Sequence, residues 1–464
     1  MLNYSRWRTV TTRSCHQSCL ILLGAITLAG CVSYNRKPIV DRELVRILAA
    51  RSPEDSVPRL DTSREYGFAD GVSLEEAELV AIFYNPTLRV TRLQAQVPVL
   101  SAKHAGQWTN PELGVDAMRI MDEVEKPWIT GASLAFTIPI SGRLAVERSK
   151  ADAEGRTALM EAWSAEQLIL RELRDTWIDW ESAGRSAAAG RDLLNQLEGV
   201  VAITSRLETA GEIIAAEGVA FRLSQARSRL DLERLETQES EARAKIIALM
   251  GLTSAASVVL VPSDPECNST KDITQEALLA RNPNVLLRVA EYEVAEQALR
   301  LEIRRQYPDI QLGPAYENEG GIDRVGFGFS VPLPILNSNK RAIVEADATR
   351  EAARGRWEES VQQALEELAA GSARLDAAMR RQIVLREIIT PLADSQLAEA
   401  RHLAERGEIN TLLLLEALGA QREMLMDRID ADAQVAHSRA ALRALAPPEA
   451  EPSADVAAKG ASTK

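Results

Sequence analysis

The sequence predicts an α+β membrane protein built from two similar halves, each with a β-hairpin and a long α-helical hairpin. Three observations predict it. Landmarks recur in order: Asn85–Pro86 returns as Asn282–Pro283 and Pro111–Glu112–Leu113 as Pro308–Asp309–Ile310, each 197 residues later. Phe136–Thr137–Ile138–Pro139 returns as Phe329–Ser330–Val331–Pro332, Ala151–Asp152–Ala153 as Ala346–Asp347–Ala348, and Gly211–Glu212–Ile213 as Gly407–Glu408–Ile409. A spacing this long lies outside solenoid periods and marks duplication of a whole supersecondary unit. The second observation is a run of alternating apolar and small or polar residues in each half. The third is a long proline-poor helical stretch after each run.

The N-terminus carries Arg6, Arg8 and Arg13, then the apolar stretch Leu20 to Ala29, then Gly30–Cys31. That is the layout of a secretory signal peptide over residues 1–30. The apolar run is about half of what a membrane-spanning helix needs. Leu28–Ala29–Gly30–Cys31 resembles the bacterial lipobox, which makes Cys31 the lipidated (palmitate-bearing) first residue of the mature chain. Val32 in place of an aspartate favours the outer membrane. Residues 31–70 read as a lipidated N-terminus and linker without structure. Removing residues 1–30 takes away three arginines and no acid, so the formal charge moves from −13 to −16. Such an acidic chain argues against nucleic acid as a partner. Cys267 is then left alone, without an intramolecular disulfide.

The first repeat is bounded at 71–264 and the second at 265–446, followed by a tail at 447–464 with the composition of a disordered segment. After the signal, no apolar run is long enough for a helical membrane span. In the first repeat Leu88 to Gln107 is helical in composition, and Asn110–Pro111 ends it. Ala132, Leu134, Phe136, Ile138 and Ile140 then alternate with Gly131, Ser133, Ala135, Thr137 and Pro139. In the second repeat Val325, Phe327, Phe329, Val331 and Leu333 alternate with Gly326, Gly328, Ser330 and Pro332. Period 2 with one apolar side is the pattern of a transmembrane β-barrel strand, and also of a half-buried sheet in a soluble domain. Residues 119–128 and 317–324 are polar and are expected as exposed hairpin loops. Four strands cannot close a barrel, and an open edge in lipid leaves backbone groups unsatisfied at several kcal/mol each. Either the strands lie outside a membrane or several chains share one barrel; three chains would supply twelve strands.

From Arg143 to Thr209 the chain is rich in Ala, Glu, Leu and Arg without proline, and Lys340 to Glu405 is alike apart from Pro391. At 1.5 Å per residue each stretch spans about 100 Å if continuous. Gly211 and Gly407 end them, where a left-handed turn is cheap. Return helices follow near residues 220–250 and 412–445, and Val258 to Val261 has the composition of one further strand. A soluble coiled-coil rod would explain these helices but not the duplicated strands or the lipobox.

Chemistry-bearing motifs are missing. His104, His402 and His437 are scattered surface or packing residues, and no HExxH, phosphate-binding glycine loop or GxSxG is present. Nothing suggests a cofactor, a bound metal or an enzyme. Trp163, Trp177 and Trp180 read as helix-packing residues rather than a ligand cage.

Over residues 71–446 the chain resembles the TolC-type outer-membrane efflux factors. The segments carrying the resemblance are Asn85–Pro86–Thr87–Leu88, Asn110–Pro111–Glu112–Leu113, Phe136 to Ile140, Tyr307–Pro308–Asp309–Ile310, Val331 to Pro334 and the two turns Ala210 to Ile213 and Arg406 to Ile409. The closest likeness is to the branch serving heavy-metal and related efflux pumps. The resemblance implies a homotrimer with a shared twelve-stranded barrel in the outer membrane and an α-helical barrel through the periplasm. It also implies a periplasmic adaptor (membrane fusion protein) meeting the tips Gly211, Glu212, Ile213 and Gly407, Glu408, Ile409, and beyond it an inner-membrane RND pump. Acidic residues past the tips ring the closed aperture in that family; the matching positions here hold Glu217 and Glu416. The function implied is a passive duct exporting small molecules or metal cations. The runner-up is the outer-membrane component of type I protein secretion. A lipid-anchored scaffold and the adaptor itself are the readings from other classes.

Overall fold

The computed structural model describes residues 34–54, 68, 70–121, 124–254, 256, 258–262, 273–405 and 411–447. It divides into a unit ending at Ala50 and a unit from Arg51 onward. Within the first unit lies helix α1 (Asp41–Ala49), in a stretch expected to be without structure. Asp41 and Glu43 in its first turn and Arg46 in its last oppose the helix dipole, which favours the helix locally.

The second unit contains both repeats. The first comprises α2 (Leu74–Tyr84), α3 (Pro86–Ala102), β1 (Glu112–Arg119), β2 (Trp128–Ile138), α4 (Arg143–Ala210) and α5 (Ala215–Leu249). The second comprises α6 (Gln275–Arg281), α7 (Pro283–Arg304), β3 (Ile310–Glu319), β4 (Ile322–Ser330), α8 (Lys340–Val384), a π-helical turn (Leu385–Ile389), α9 (Thr390–Glu405) and α10 (Thr411–Leu445). The expected helix at 88–107 is thus α3, beginning and ending a few residues earlier.

The repeated Asn-Pro pairs have one structural job in both halves. Each proline opens a helix at a position that needs no N–H donor. Each asparagine caps that helix: Asn85 Oδ1 accepts from the N–H groups of Thr87 and Leu88, and Asn282 Oδ1 from those of Asn284 and Val285. The amide nitrogens reach across the repeat to the end of its return helix, Asn85 to the Leu249 carbonyl at 2.8 Å and Asn282 to the Leu445 carbonyl at 3.1 Å. One side chain therefore satisfies the start of one helix and the end of another.

Around the first asparagine lies an apolar core of Val72, Val80, Leu173, Trp177, Trp180, Ile246, Met250, Leu252 and Val258. Trp177 and Trp180 meet edge to face at 5.4 Å, and the Trp177 indole donates to Glu181. They are packing residues, as their spacing implied. Arg51 lies over the Tyr84 ring and donates to the Gly251 carbonyl at 3.0 Å; burial lowers its pKa. The segment Val258 to Val261 forms only an isolated parallel bridge, Val72 with Leu260, rather than a full strand.

The long helix of the first repeat, α4, is unbroken over 68 residues, about 100 Å. Its counterpart is continuous in path but not in hydrogen bonding. Pro391 has no N–H, and the helix widens into the π turn just before it. Thr390 Oγ1 donates to the Leu385 carbonyl at 2.8 Å and so occupies one acceptor in this turn. Along α8 the buried positions are Ala353, Ser360, Ala364, Gly371 and Ala378, mostly seven apart and all small. That is a heptad seam for close packing, on α7 toward the sheet and on α10 farther along, where Gly371 faces Leu442.

Candidate functional site

The four strands form one antiparallel sheet in the order β1-β2-β3-β4, with β1 and β4 as open edges. The registers Leu113↔Leu134, Val115↔Ala132, Phe136↔Leu312, Ile138↔Ile310, Tyr316↔Val325 and Leu312↔Phe329 put these side chains, with Phe327 opposite Pro314, on one face. On the other face stand Gly114, Asp116, Gly131, Ser133, Thr137, Gln311, Glu317, Arg324 and Ser330. The apolar face is exposed in the single chain: Val115 by 76%, Val325 by 82% and Phe327 by 70%. Among the described residues no helix packs on it to hide this area from solvent, and a face of this kind needs an apolar partner.

The two hairpins differ. The β1–β2 loop is polar and spans the expected region. The β3–β4 loop does not: residues 317–324 were expected as a loop, yet Glu317 pairs with Arg324, Asn318 with Asp323 and Glu319 with Ile322. Gly320 (φ 60°) and Gly321 (φ 88°) alone make the turn. Two consecutive positive-φ residues form the tight turn whose twist matches the strands, so the ladder runs to the end despite its polar composition.

At the other end of the sheet the chain enters the helices. Gly142 (φ 71°) and Asn339 (φ 59°) take the same left-handed conformation before α4 and α8. Arg143 grips Asp309 with contacts of 2.8, 3.2 and 3.3 Å and also Glu147, joining the start of α4 to the start of β3 in the other repeat; the hydrogen bond to Asp309 raises its pKa. Asn339 Nδ2 donates to the carbonyl and carboxylate of Glu302.

The first tip is well defined. Gly211 (φ 78°) ends α4, its N–H reaching the Glu208 carbonyl and that of Glu212 the Leu207 carbonyl, a Schellman turn. Glu212 is exposed and Ile213 half-buried. Glu217, also half-buried, lies in the first turn of α5, so the structure brings Gly211, Glu212, Ile213 and Glu217 together. Sequence reading missed Glu208, which pairs with Arg222 across the turn at 2.9 Å. Its carboxylate lies where a side chain at Gly218 would stand, so the glycine makes room for the pair. Gly407, Glu408 and Ile409 of the second tip lie outside the described residues, as do Cys31, Cys267, the signal stretch and the tail beyond Pro447. Glu416 is exposed on α10, next to Ala417 and Leu418, which pack on Leu193, Leu197, Leu397 and Ala400.

Contacts between repeats gather on α4. Arg401 donates to Gln196 at 2.6 Å, and Arg422 of α10 pairs with Asp231 of α5. His437 is expected as a surface or packing residue, and it is about a third exposed. Its ring bridges Asp175 at 3.2 Å and Asp179 at 3.0 Å, four residues apart on one face of α4, and these carboxylates raise its pKa to about 9. The i,i+4 pair of aspartates was the only signal for this in the sequence. Among the described residues, no group of three or more His, Cys, Asp or Glu has metal-holding geometry.

The chain is 23% identical to outer membrane protein OprJ of Pseudomonas aeruginosa over 445 residues, covering 88% of this chain and 90% of OprJ. It superposes on the outer-membrane channel OprN with a TM-score of 0.70 at 16% identity, over 89% of this chain and 98% of that one. Against the outer membrane protein VceC of Vibrio cholerae the TM-score is 0.69 at 16% identity, over 80% and 96%. This is the TolC-type outer-membrane channel fold. No protein-family model matches the chain. The TolC-type fold accounts for the open-edged sheet and for two helical hairpins hung from one end of it.

Proposed function

We propose that the chain is the outer-membrane channel of a tripartite RND-type efflux system, a passive duct without a catalytic step. The observation that carries this is the sheet: one face apolar and exposed, the other small and polar, both edges open. In water such a face would drive association, and in lipid such edges would leave the ladder unsatisfied at several kcal/mol per group. Both problems disappear when three copies close twelve strands into one barrel with the apolar face on the lipid, so the working species is a homotrimer. The small and polar face then lines the lumen. The long hairpins hang into the periplasm as a tube of about 100 Å.

Within this reading the repeats are 71–264 and 265–446, and Cys31 carries a lipid that supplements the barrel as an anchor. The tips at Gly211 to Ile213 and Gly407 to Ile409 meet a periplasmic adaptor, with the inner-membrane pump beyond. Glu217 and Glu416 are the candidates for an acidic ring at the aperture. The cargo is small molecules or metal cations, the metals being raised by the sequence likeness to the heavy-metal branch. Cargo passes through the duct and is no resident cofactor.

Purified protein in planar bilayers should give discrete conductance steps and a mass of three chains in detergent. A non-conducting monomer would overturn the reading. In cells, a photo-crosslinker at Glu212 should capture the adaptor, while one at Lys126 in the β1–β2 loop should not; capture only at Lys126 would reverse the orientation. Palmitate should label the wild type and not Cys31→Ser.

A further inference from the structure

The two repeats differ where the second strand of each hairpin enters its long helix. Between Pro139 and Gly142 stand two residues; between Pro332 and Asn339 stand six. The added length is apolar and projects outward. Leu333 is 71% exposed, Ile335 81% and Leu336 97%. It is also shaped rather than slack. The Ile335 N–H bonds to the Leu333 carbonyl at 2.9 Å, Ser338 Oγ to the Pro334 carbonyl at 3.2 Å, and the Asn339 N–H to Asn337 Oδ1 at 3.0 Å. Asn339 fastens the segment to α7 through Glu302.

We propose that Leu333 to Leu336 is an interfacial anchor that dips into the phospholipid leaflet at the helix-side rim of the barrel. The proposal rests on the reading of the sheet as part of a lipid-embedded barrel. Four features point to lipid as the occupant. The loop continues from β4, whose Val325, Phe327 and Phe329 form the apolar face, so it leaves the sheet beside that face. It leaves the sheet at the same end as Trp108 (61% exposed) and Tyr307 (58% exposed), which precede β1 and β3. Amphipathic aromatics of this kind sit at membrane–water interfaces. Pro332 and Pro334 carry no N–H, which lowers the cost of placing this backbone in an apolar medium. Lys340 and Arg341 follow after three further residues, and the Arg341 side chain, 89% exposed, pairs with the exposed Glu345 at 2.8 Å and keeps its remaining N–H donors toward the outside. Two cations beside an apolar knuckle suit an anionic headgroup layer.

The test uses the full-length trimer with its own cysteines replaced by serine, in vesicles of phosphatidylethanolamine and phosphatidylglycerol. Nitroxide labels are placed singly at Leu336→Cys, at Phe327→Cys on the sheet's apolar face and at Glu212→Cys on the tip. Collisions with oxygen and with a water-soluble nickel chelate are then measured. At 336 and 327 oxygen should dominate, with 336 the shallower, whereas nickel should dominate at 212. Nickel dominance at 336 with oxygen dominance at 327 overturns the anchor and leaves the barrel standing. Exclusion of both reagents at 336 means that a neighbouring copy of the chain covers the loop, which also overturns it. Nickel dominance at 327 removes the barrel reading, and the anchor with it.

Discussion

Replacing His437 with glutamine removes an imidazolium that ties two carboxylates of the first repeat to the last helix of the second. The contacts are 3.2 Å to Asp175 and 3.0 Å to Asp179, and the ring proton is held with a pKa of about 9 against an ordinary 6.5. At 1.36 kcal/mol per pKa unit this corresponds to about 3 kcal/mol. The side chains keep 34%, 36% and 61% of their surface exposed, so solvent screening brings the expected value to about 1–2 kcal/mol. The folded pKa lies above the unfolded one. The stabilisation is therefore fully present below pH 6.5 and lost as the pH rises through 9. With an unfolding entropy of about 2.1 cal/mol/K per residue, the chain of 464 residues should show a melting difference of about 1–2 °C. The assay is circular-dichroism melting of wild type and His437→Gln in detergent at one scan rate, from pH 5.5 to 10. Wild type should melt higher at pH 5.5, with the gap closing by pH 10. Asp175→Asn and Asp179→Asn together should remove the pH dependence. A gap that is independent of pH, or that widens as pH rises, refutes the clamp.

Two glycines at helix ends should respond differently to alanine. At Gly211 (φ 78°) nothing lies within 4 Å of an added Cβ, so the cost is left-handed strain alone, about 1 kcal/mol. At Gly251 (φ 72°) the Cβ would collide with the Tyr84 carbonyl, and strain plus overpacking amount to about 2–5 kcal/mol; equal melting losses for the two variants would contradict this. Asn282→Ala removes a helix cap and strands the buried Leu445 carbonyl, about 2–3 kcal/mol, which limited proteolysis should report as earlier cutting at the end of α10. Glu416→Gln and Glu217→Gln, singly and combined, should lower cation selectivity or block by multivalent cations in single-channel recordings; unchanged traces for all three would mean that no acidic ring exists.

Local chemistry made much of this architecture legible. A glycine that ends a long helix, as Gly211 does, states its own turn, because the left-handed conformation depends on that residue more than on its neighbours. Alternation along Ala132 to Ile138 fixes which side chains share a face, since the period of a strand is set by its own backbone. The polar stretch 317–324 misled because polarity reports solvent contact and not backbone pairing. The Gly320–Gly321 pair was the better guide, since it sets the turn that lets the ladder reach the end. Pro391 read as a breaker, yet tertiary packing carries the helix through it by widening one turn.

By itself the sequence determined the duplication, the alternating strands, the long helices and the turn at Gly211. Only the tertiary structure decided which distant residues meet, within a repeat and between the two. It chose Asn282 with the Leu445 carbonyl, Arg143 with Asp309, Glu208 with Arg222, and His437 with Asp175 and Asp179. These partners lie 14 to 262 residues apart. No periodicity encodes them, because each pair is set by how two helices, or a helix and a strand, come to lie side by side. The same holds for the rim loop Leu333 to Leu336. Its apolar letters were readable in the sequence, but its exposure follows from where β4 ends and α8 begins.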